Sequence, residues 1–241
     1  TQNIVEKRNT MPILVNVLLE TDGKQMKVFA TDLEVSLTDE IPVARGTAGK
    51  VAVNAKNLFE IIKELMDGPV QLTKKDNNWL EIKQNRSVFN IVGISAEEYP
   101  VFPTYSTQDF MKIDASVLGD MIEKTIYSVS NDETRYHLNG VYFERSQEQG
   151  KDVYRMVATD GHRLSLVDRK TEGGGSSSIP VGGVIIPRKG LTEIRKLLDT
   201  VSGNFEMAIE GSQLIVRHKS TVLMVRLIEG KYPNYQQLIP Q

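Results

Sequence analysis

Asp160-Gly161-His162-Arg163 is the densest polar cluster in the sequence, and an acid next to an imidazole could hold a metal or pass a proton. Little around it supports that chemistry. The chain has 3 histidines, and His137 and His218 stand alone in sequence at what read as ordinary strand or loop positions. No His-Glu-x-x-His helix, no serine elbow with an ordered acid and base, and no second ligand cluster accompanies the pair. With 0 cysteines there is no thiolate nucleophile, disulfide framework or thiolate zinc site. The cluster therefore reads as a turn carrying a recognition surface, with no catalytic residue, metal or cofactor. Gly173-Gly174-Gly175-Ser176-Ser177-Ser178 invites a phosphate-cradle reading, but such a loop needs Lys then Ser or Thr at the start of a helix. This tract runs into Ile179-Pro180 and reads as a flexible surface loop.

A second candidate chemistry is electrostatic. A helical pattern from Pro187, a favoured first-turn residue, places Leu191, Ile194 and Leu198 on one face and Arg188, Lys189, Thr192, Arg195 and Lys196 opposite, with only Glu193 nearby. Another pattern, capped by Asn54 and stopped by Gly68-Pro69, has apolar Leu58, Ile61, Ile62 and Leu65 and carries Lys56 and Lys63. Two such basic faces point to a surface that meets phosphates. No aromatic residues interleave with them, so base stacking and sequence readout are not expected. Against this, 29 Lys+Arg and 31 Asp+Glu give a net charge of −2, unlike the strongly basic domains of most nucleic-acid binders.

The elements that must position these residues come in two copies. Ala30-Thr31-Asp32 recurs 128 residues later as Ala158-Thr159-Asp160; Lys56, Leu58, Glu60, Ile61 and Leu65 recur 133 later as Lys189, Leu191, Glu193, Ile194 and Leu198, and Tyr99-Pro100 as Tyr232-Pro233. Leu18-Leu19-Glu20 matches Tyr142-Phe143-Glu144 at a spacing of 124, so small insertions at Ser146–Asp152 and Gly173–Ser178 account for the drift. Strand patterns in the first copy fall at Ile13–Leu19, Gln25–Ala30, Glu34–Thr38, Lys50–Val53, Val70–Thr73, Trp79–Lys83 and Ser87–Val92. The second copy repeats them at Gly140–Glu144, Tyr154–Ala158, Arg163–Asp168, Gly183–Ile186, Phe205–Glu210, Gln213–Arg217 and Thr221–Leu227.

A further helix, capped by Asp114 and presenting Leu118, Met121, Ile122, Thr125, Ile126 and Val129, precedes the second copy only. The first copy thus reads as lacking a strand and most of a helix at its start. Two domains are expected, 1–105 and 106–241, together enough chain to bury a core in each. Signal-peptide and membrane-spanning patterns are absent, and a reducing cytoplasm is the expected compartment.

Ala158-Thr159-Asp160-Gly161-His162-Arg163-Leu164 resembles the central signature of the bacterial sliding-clamp family, the beta subunits of DNA polymerase III. Arg135–Val141, Ile186-Pro187-Arg188-Lys189-Gly190 and Tyr232–Pro240 agree with it, as do Asn9–Leu14 and Ala30–Glu34 in the first copy. The resemblance implies an α+β fold of duplicated clamp domains, antiparallel sheets outside and two helices facing a central hole. It implies a non-enzymatic processivity factor, a ring that encircles duplex DNA and tethers the replicative polymerase and other replication proteins. Arg8, Lys56, Lys63, Arg188, Lys189, Arg195 and Lys196 would face the DNA, Arg8 by similarity alone.

By the same resemblance a groove for partner peptides would comprise Leu138, Thr159, Gly161, His162, Arg163, Leu164, Pro233 and Leu238. Asp32-Leu33-Glu34 replaces Asp160-Gly161-His162 in the first copy, so one groove per chain is expected. Family rings are head-to-tail homodimers of three-domain chains, with a clamp loader among their partners. This sequence matches two domains, the first without its start, so as given it reads as a fragment compatible with a monomer. The competing readings are a two-domain trimeric clamp of the archaeal or eukaryotic kind and a peptide-binding adaptor with no DNA role.

Overall fold

The computed structural model describes residues 4, 11–170, 179–180, 182–200 and 203–239. The chain divides into two units: one runs to Pro103 and takes in Lys219–Val222, the other runs from Thr104 to His218 and from Leu223 onward.

In the first unit a 3₁₀ turn at Pro12–Val15 leads into β1 (Asn16–Thr21), followed by β2 (Gln25–Thr31), β3 (Val35–Pro42), β4 (Gly49–Asn54), α1 (Ala55–Glu64), β5 (Gln71–Lys74), β6 (Leu80–Gln84), β7 (Ser87–Ile91) and the short β8 (Gly93–Ile94). Antiparallel pairing orders one sheet β8-β4-β1-β2-β3 and a second β5-β6-β7. Val17, Leu19, Phe29, Val35, Val51, Val53, Leu80 and Ile82 are buried, as half-covered antiparallel sheets require.

The second unit repeats this order behind two extra elements, β9 (Met111–Asp114) and α2 (Ala115–Glu123). Then come β10 (Gly140–Glu148), β11 (Lys151–Thr159), β12 (Leu164–Lys170), β13 (Val184–Pro187), α3 (Arg188–Asp199), β14 (Asn204–Glu210), β15 (Gln213–His218) and β16 (Thr221–Arg226). One sheet runs β12-β11-β10-β13; in the other β9 flanks β14, followed by β15 and β16. Phe143, Met156, Leu191, Ile194 and Phe205 fill its core at 0 to 1% exposure.

The caps explain where the helices start. Asn54 Oδ1 accepts the Asn57 amide at 3.0 Å, and Asp114 Oδ1 accepts that of Ser116 at 2.8 Å, each satisfying a first-turn donor.

Several expectations are corrected. Ile13–Val15 form the 3₁₀ turn, so the first strand begins at Asn16, because Pro12 favours a tight turn over a ladder it cannot donate to. Pro187 ends β13 and caps α3 instead of opening it. The helix after Asp114 stops at Glu123: Thr125 Oγ1 bonds back to the Met121 carbonyl at 2.7 Å and the chain re-forms as a 3₁₀ turn at Ile126–Ser128. Leu65 turns extended, ending α1 before Gly68-Pro69. The insertion at Ser146–Asp152 lengthens the β10–β11 hairpin across Gln149-Gly150, with φ of +49° and +75°, which suits strand twist. Gly173–Ser178 lies outside the described residues.

The apolar face expected on α1 is half open. Leu58, Ile61 and Leu65 are only partly covered, and Ile62 is 42% exposed. Within the second unit α2 packs against α3, on which Leu191, Ile194 and Leu198 are buried, whereas the main contacts of α1 are with the strands β1, β4 and β7.

Candidate functional site

The site is built on the turn between β11 and β12. Thr159 Oγ1 donates to the Arg163 carbonyl at 2.6 Å and accepts the Gly161 amide at 3.1 Å. Asp160 Oδ1 accepts the amides of His162 and Arg163 at 2.9 and 3.0 Å. The acid of the Asp-His pair is thus a turn former, bonded to the backbone of His162 and not to its ring. Gly161 sits at φ +91°, a backbone conformation that favours glycine; the nearest atom to a Cβ there would be the mobile end of Arg135 at 2.9 Å, so the backbone and not the space selects it. Arg163 is held over the turn by Asp160 Oδ2 at 3.1 Å and the Tyr127 carbonyl at 2.6 Å, with its guanidinium 5.7 Å from the Tyr127 ring centre. Among the described residues no three His, Asp or Glu side chains gather as a metal site would need.

The amides of His162 and Arg163, aided by the Arg163 side chain, pull the Asp160 carboxyl down to about 2. A carboxyl whose folded value is depressed stabilises the fold above its unfolded value near 3.9, and that contribution is lost as pH falls through about 2. An NMR titration of the Asp160 carboxyl carbon is therefore expected to show its midpoint well below that of an ordinary Asp. A midpoint near 4 means that the turn is not held this way.

Apolar walls adjoin the turn. Leu138 and Leu164 belong to one cluster with Val157, Ile185, Tyr142, Tyr232 and Tyr235. The Tyr232 hydroxyl accepts the Thr159 amide at 3.1 Å, and its ring stacks on Tyr142 at 5.0 Å, which pins neighbouring Pro233 to the sheet. Leu238 closes a 3₁₀ turn at Tyr235–Leu238 and is 62% exposed. The residues expected to line a groove thus grade from buried Leu138 through half-buried Leu164 and Pro233 to open Leu238, with the polar groups of His162 and Arg163 exposed. Such a surface suits an apolar anchor on a polar chain.

Sequence reasoning missed Tyr127, Arg135, Tyr142, Tyr232 and Tyr235. The last two lie inside the Tyr232–Pro240 landmark, and the recurrence of Tyr99 as Tyr232 was the available signal: Tyr99 tethers the first unit similarly, donating to the Asn16 carbonyl at 2.8 Å. The first unit also repeats the turn itself. Asp32 Oδ1 accepts the amides of Glu34 and Val35 at 2.9 and 2.7 Å, with Leu33 at φ +75° and 51% exposed in the place of Gly161.

The basic helix faces differ between the units. On α1, Lys56 and Lys63 are exposed, but Lys56 faces Glu60 at 3.7 Å, and Glu60 and Glu64 offset both lysines. On α3, Arg195 pairs with Asp199, and Lys196 with Glu193 at 2.6 Å. Arg188 is drawn into the loop before β10, donating to Asn131 Oδ1 at 2.6 Å and to the Ile126 carbonyl at 3.1 Å. Lys189 is partly buried at the first turn of α3. Arg8 lies outside the described residues.

Residues 112–234 match the family described as DNA polymerase III beta subunit, central domain, and residues 1–103 match its N-terminal domain. The beta sliding clamp of Caulobacter vibrioides is 34% identical over 100% of this chain and 64% of its own length. The solved Caulobacter crescentus pol III beta superposes with a TM-score of 0.92 at 35% identity, over 100% of this chain and 65% of that one. The sliding clamp from Bartonella birtlesii bound to griselimycin gives 0.90 at 33% identity, over 100% and 64%. The chain thus spans just under two thirds of the length of the relatives it matches. No helix of the described residues is long and apolar enough to cross a membrane.

Proposed function

The chain belongs to the DNA polymerase III beta subunit family, and on that footing we propose that it serves as part of a DNA sliding clamp, a non-catalytic processivity factor. In this reading a ring, a head-to-tail homodimer set in place by a clamp loader, is held on duplex DNA by topology. The polymerase tied to it stays on the template without gripping any one phosphate. Helix α3 supplies the weak, sequence-independent attraction; strong charge binding would impede sliding and depend steeply on salt. The surface around the Asp160 turn captures peptide tails of the replicative polymerase and other replication proteins in the cytoplasm.

The observation that carries the reading is the convergence of Leu138, Thr159, Leu164 and the Tyr232-Pro233 tether on one turn of the second unit. A relative with griselimycin bound makes that compound the probe. Calorimetric titration of this chain is expected to give one griselimycin per chain, weakened at least ten-fold by Leu238→Asp, an exposed position whose change leaves the fold intact. A folded chain that takes up no griselimycin, or that binds it equally well with Leu238→Asp, overturns the groove.

A further inference from the structure

We infer that a polar relay through Glu144, Tyr235, Arg155 and Asp168 positions the wall of the peptide groove, an assignment that rests on the groove proposed above. Arg155 on β11 lies opposite Glu144 on β10 and Asp168 on β12 in the strand register. Its guanidinium grips Asp168 with two bonds of 2.7 and 2.6 Å, the two side chains being 14% and 11% exposed. The remaining arm donates to the Tyr235 hydroxyl at 3.3 Å, and that hydroxyl donates to the Glu144 carboxylate. Tyr235 is buried and opens the 3₁₀ turn that ends at Leu238.

The segment carrying Pro233 and Leu238 is therefore fastened twice. Tyr232 fixes its start by stacking on Tyr142 and by the bond from the Thr159 amide. Tyr235 fixes its middle through the relay. Leu238 is 62% exposed, so its position depends on the buried ring that opens its turn three residues earlier.

The duplicated unit supplies an internal control. Glu20, Lys27 and Glu40 occupy the same cross-strand register in the first unit, but Lys27 and Glu40 form a surface pair at 3.2 Å, 58% and 35% exposed. Three residues after Tyr99 stands Phe102, where the second unit has Tyr235, and it packs edge-on against Phe29 at 4.9 Å. The architecture is thus complete with a lysine and a phenylalanine. Arginine and the phenol hydroxyl occur together only in the unit whose turn carries Gly161 and His162, which points to peptide capture and not to folding as their role.

Tyr235→Phe removes the hydroxyl and leaves the ring, so it separates positioning from packing. The probes are a synthetic peptide ending in Leu-Phe and the same peptide with that Phe trimmed to Ala, both titrated against the whole chain by fluorescence anisotropy. Tyr235→Phe, which removes the bonds to both Arg155 and Glu144, is expected to leave the chain folded with a modestly lower thermal midpoint and to weaken the Leu-Phe peptide by about ten-fold, while the trimmed peptide changes far less. Adding Glu144→Gln to Tyr235→Phe should cost nothing more, since the two act as one unit. Equal weakening of both peptides would mean that the relay only supports the fold and would overturn the inference. Unchanged affinity for a Leu-Phe peptide that wild type does bind also overturns it and leaves the groove standing. Failure of wild type to bind the Leu-Phe peptide removes the groove, and this inference with it.

Discussion

Gly190→Ala is expected to destabilise the chain by about 1 kcal/mol net, even though alanine is the better helix former by roughly 1 kcal/mol. Two effects compete here. Gly190 lies in the first turn of α3, and a Cβ there would stand 3.0 Å from Val225 Cγ2 and 3.2 Å from Val225 Cβ, with Cγ1 nearer still. Val225 is fully buried, and Leu191 and Ile194 lock the same helix face into the core, so α3 cannot retreat without unpacking all three. Overpacking of this kind costs about 1 to 3 kcal/mol and occasionally more, which exceeds the propensity gain. Urea unfolding should show a lower midpoint at constant slope. Val225→Ala in the Gly190→Ala background should recover more than additivity allows, because the new methyl then fills the space that Val225 vacates, with a coupling of at least about 1 kcal/mol. A Gly190→Ala chain as stable as wild type would show that α3 does not approach β16 this closely. The Ile186–Gly190 landmark thereby acquires a physical reason: its glycine sets the distance at which the helix lies on the sheet.

That landmark shows what a single sequence discloses and what it hides. The repeat was legible because the residues that recur at fixed spacing (Asp32 with Asp160, Leu58 with Leu191, Tyr99 with Tyr232) are those that close turns, face cores and tether chain ends. The caps Asn54 and Asp114 were legible for the same reason. β8 has two residues, too short for alternation to register. The open face of α1 was illegible in principle, since periodicity shows which side of a helix is apolar and not whether anything covers it. Arg188 read as part of a basic stripe because its partners, the Ile126 carbonyl and Asn131, lie 62 and 57 residues away. The groove divides likewise. Its turn is local and was read from Thr159 to Leu164, whereas Tyr235 and Arg155 meet across 80 residues and only the fold joins them.

Reversing the outer charges of α3 with Arg195→Glu and Lys196→Glu should lower the affinity of this chain for duplex DNA at low salt by about 100-fold and flatten the salt dependence by nearly two units of log-log slope. Each phosphate contact releases about 0.9 counterion on B-form DNA, so two lost contacts account for the slope, and the added carboxylates repel the backbone as well. The pairing on the helix sharpens the test. Lys196 is held by Glu193, a carboxylate 11% exposed and thus poorly screened, while Arg195 leans on the more open Asp199 at 59%. Glu193→Gln should therefore tighten DNA binding by releasing Lys196, and Asp199→Asn should do so less. Lys56→Glu on α1 should change little, because Glu60 and Glu64 already offset that helix. A surface merely solvated on its outer side would respond to none of these substitutions at physiological salt. Opposite signs for Lys196→Glu and Glu193→Gln, with their difference shrinking as salt rises, are the signature of a helix that meets phosphate. The net charge of −2 is then a sum over unlike surfaces and no argument against DNA.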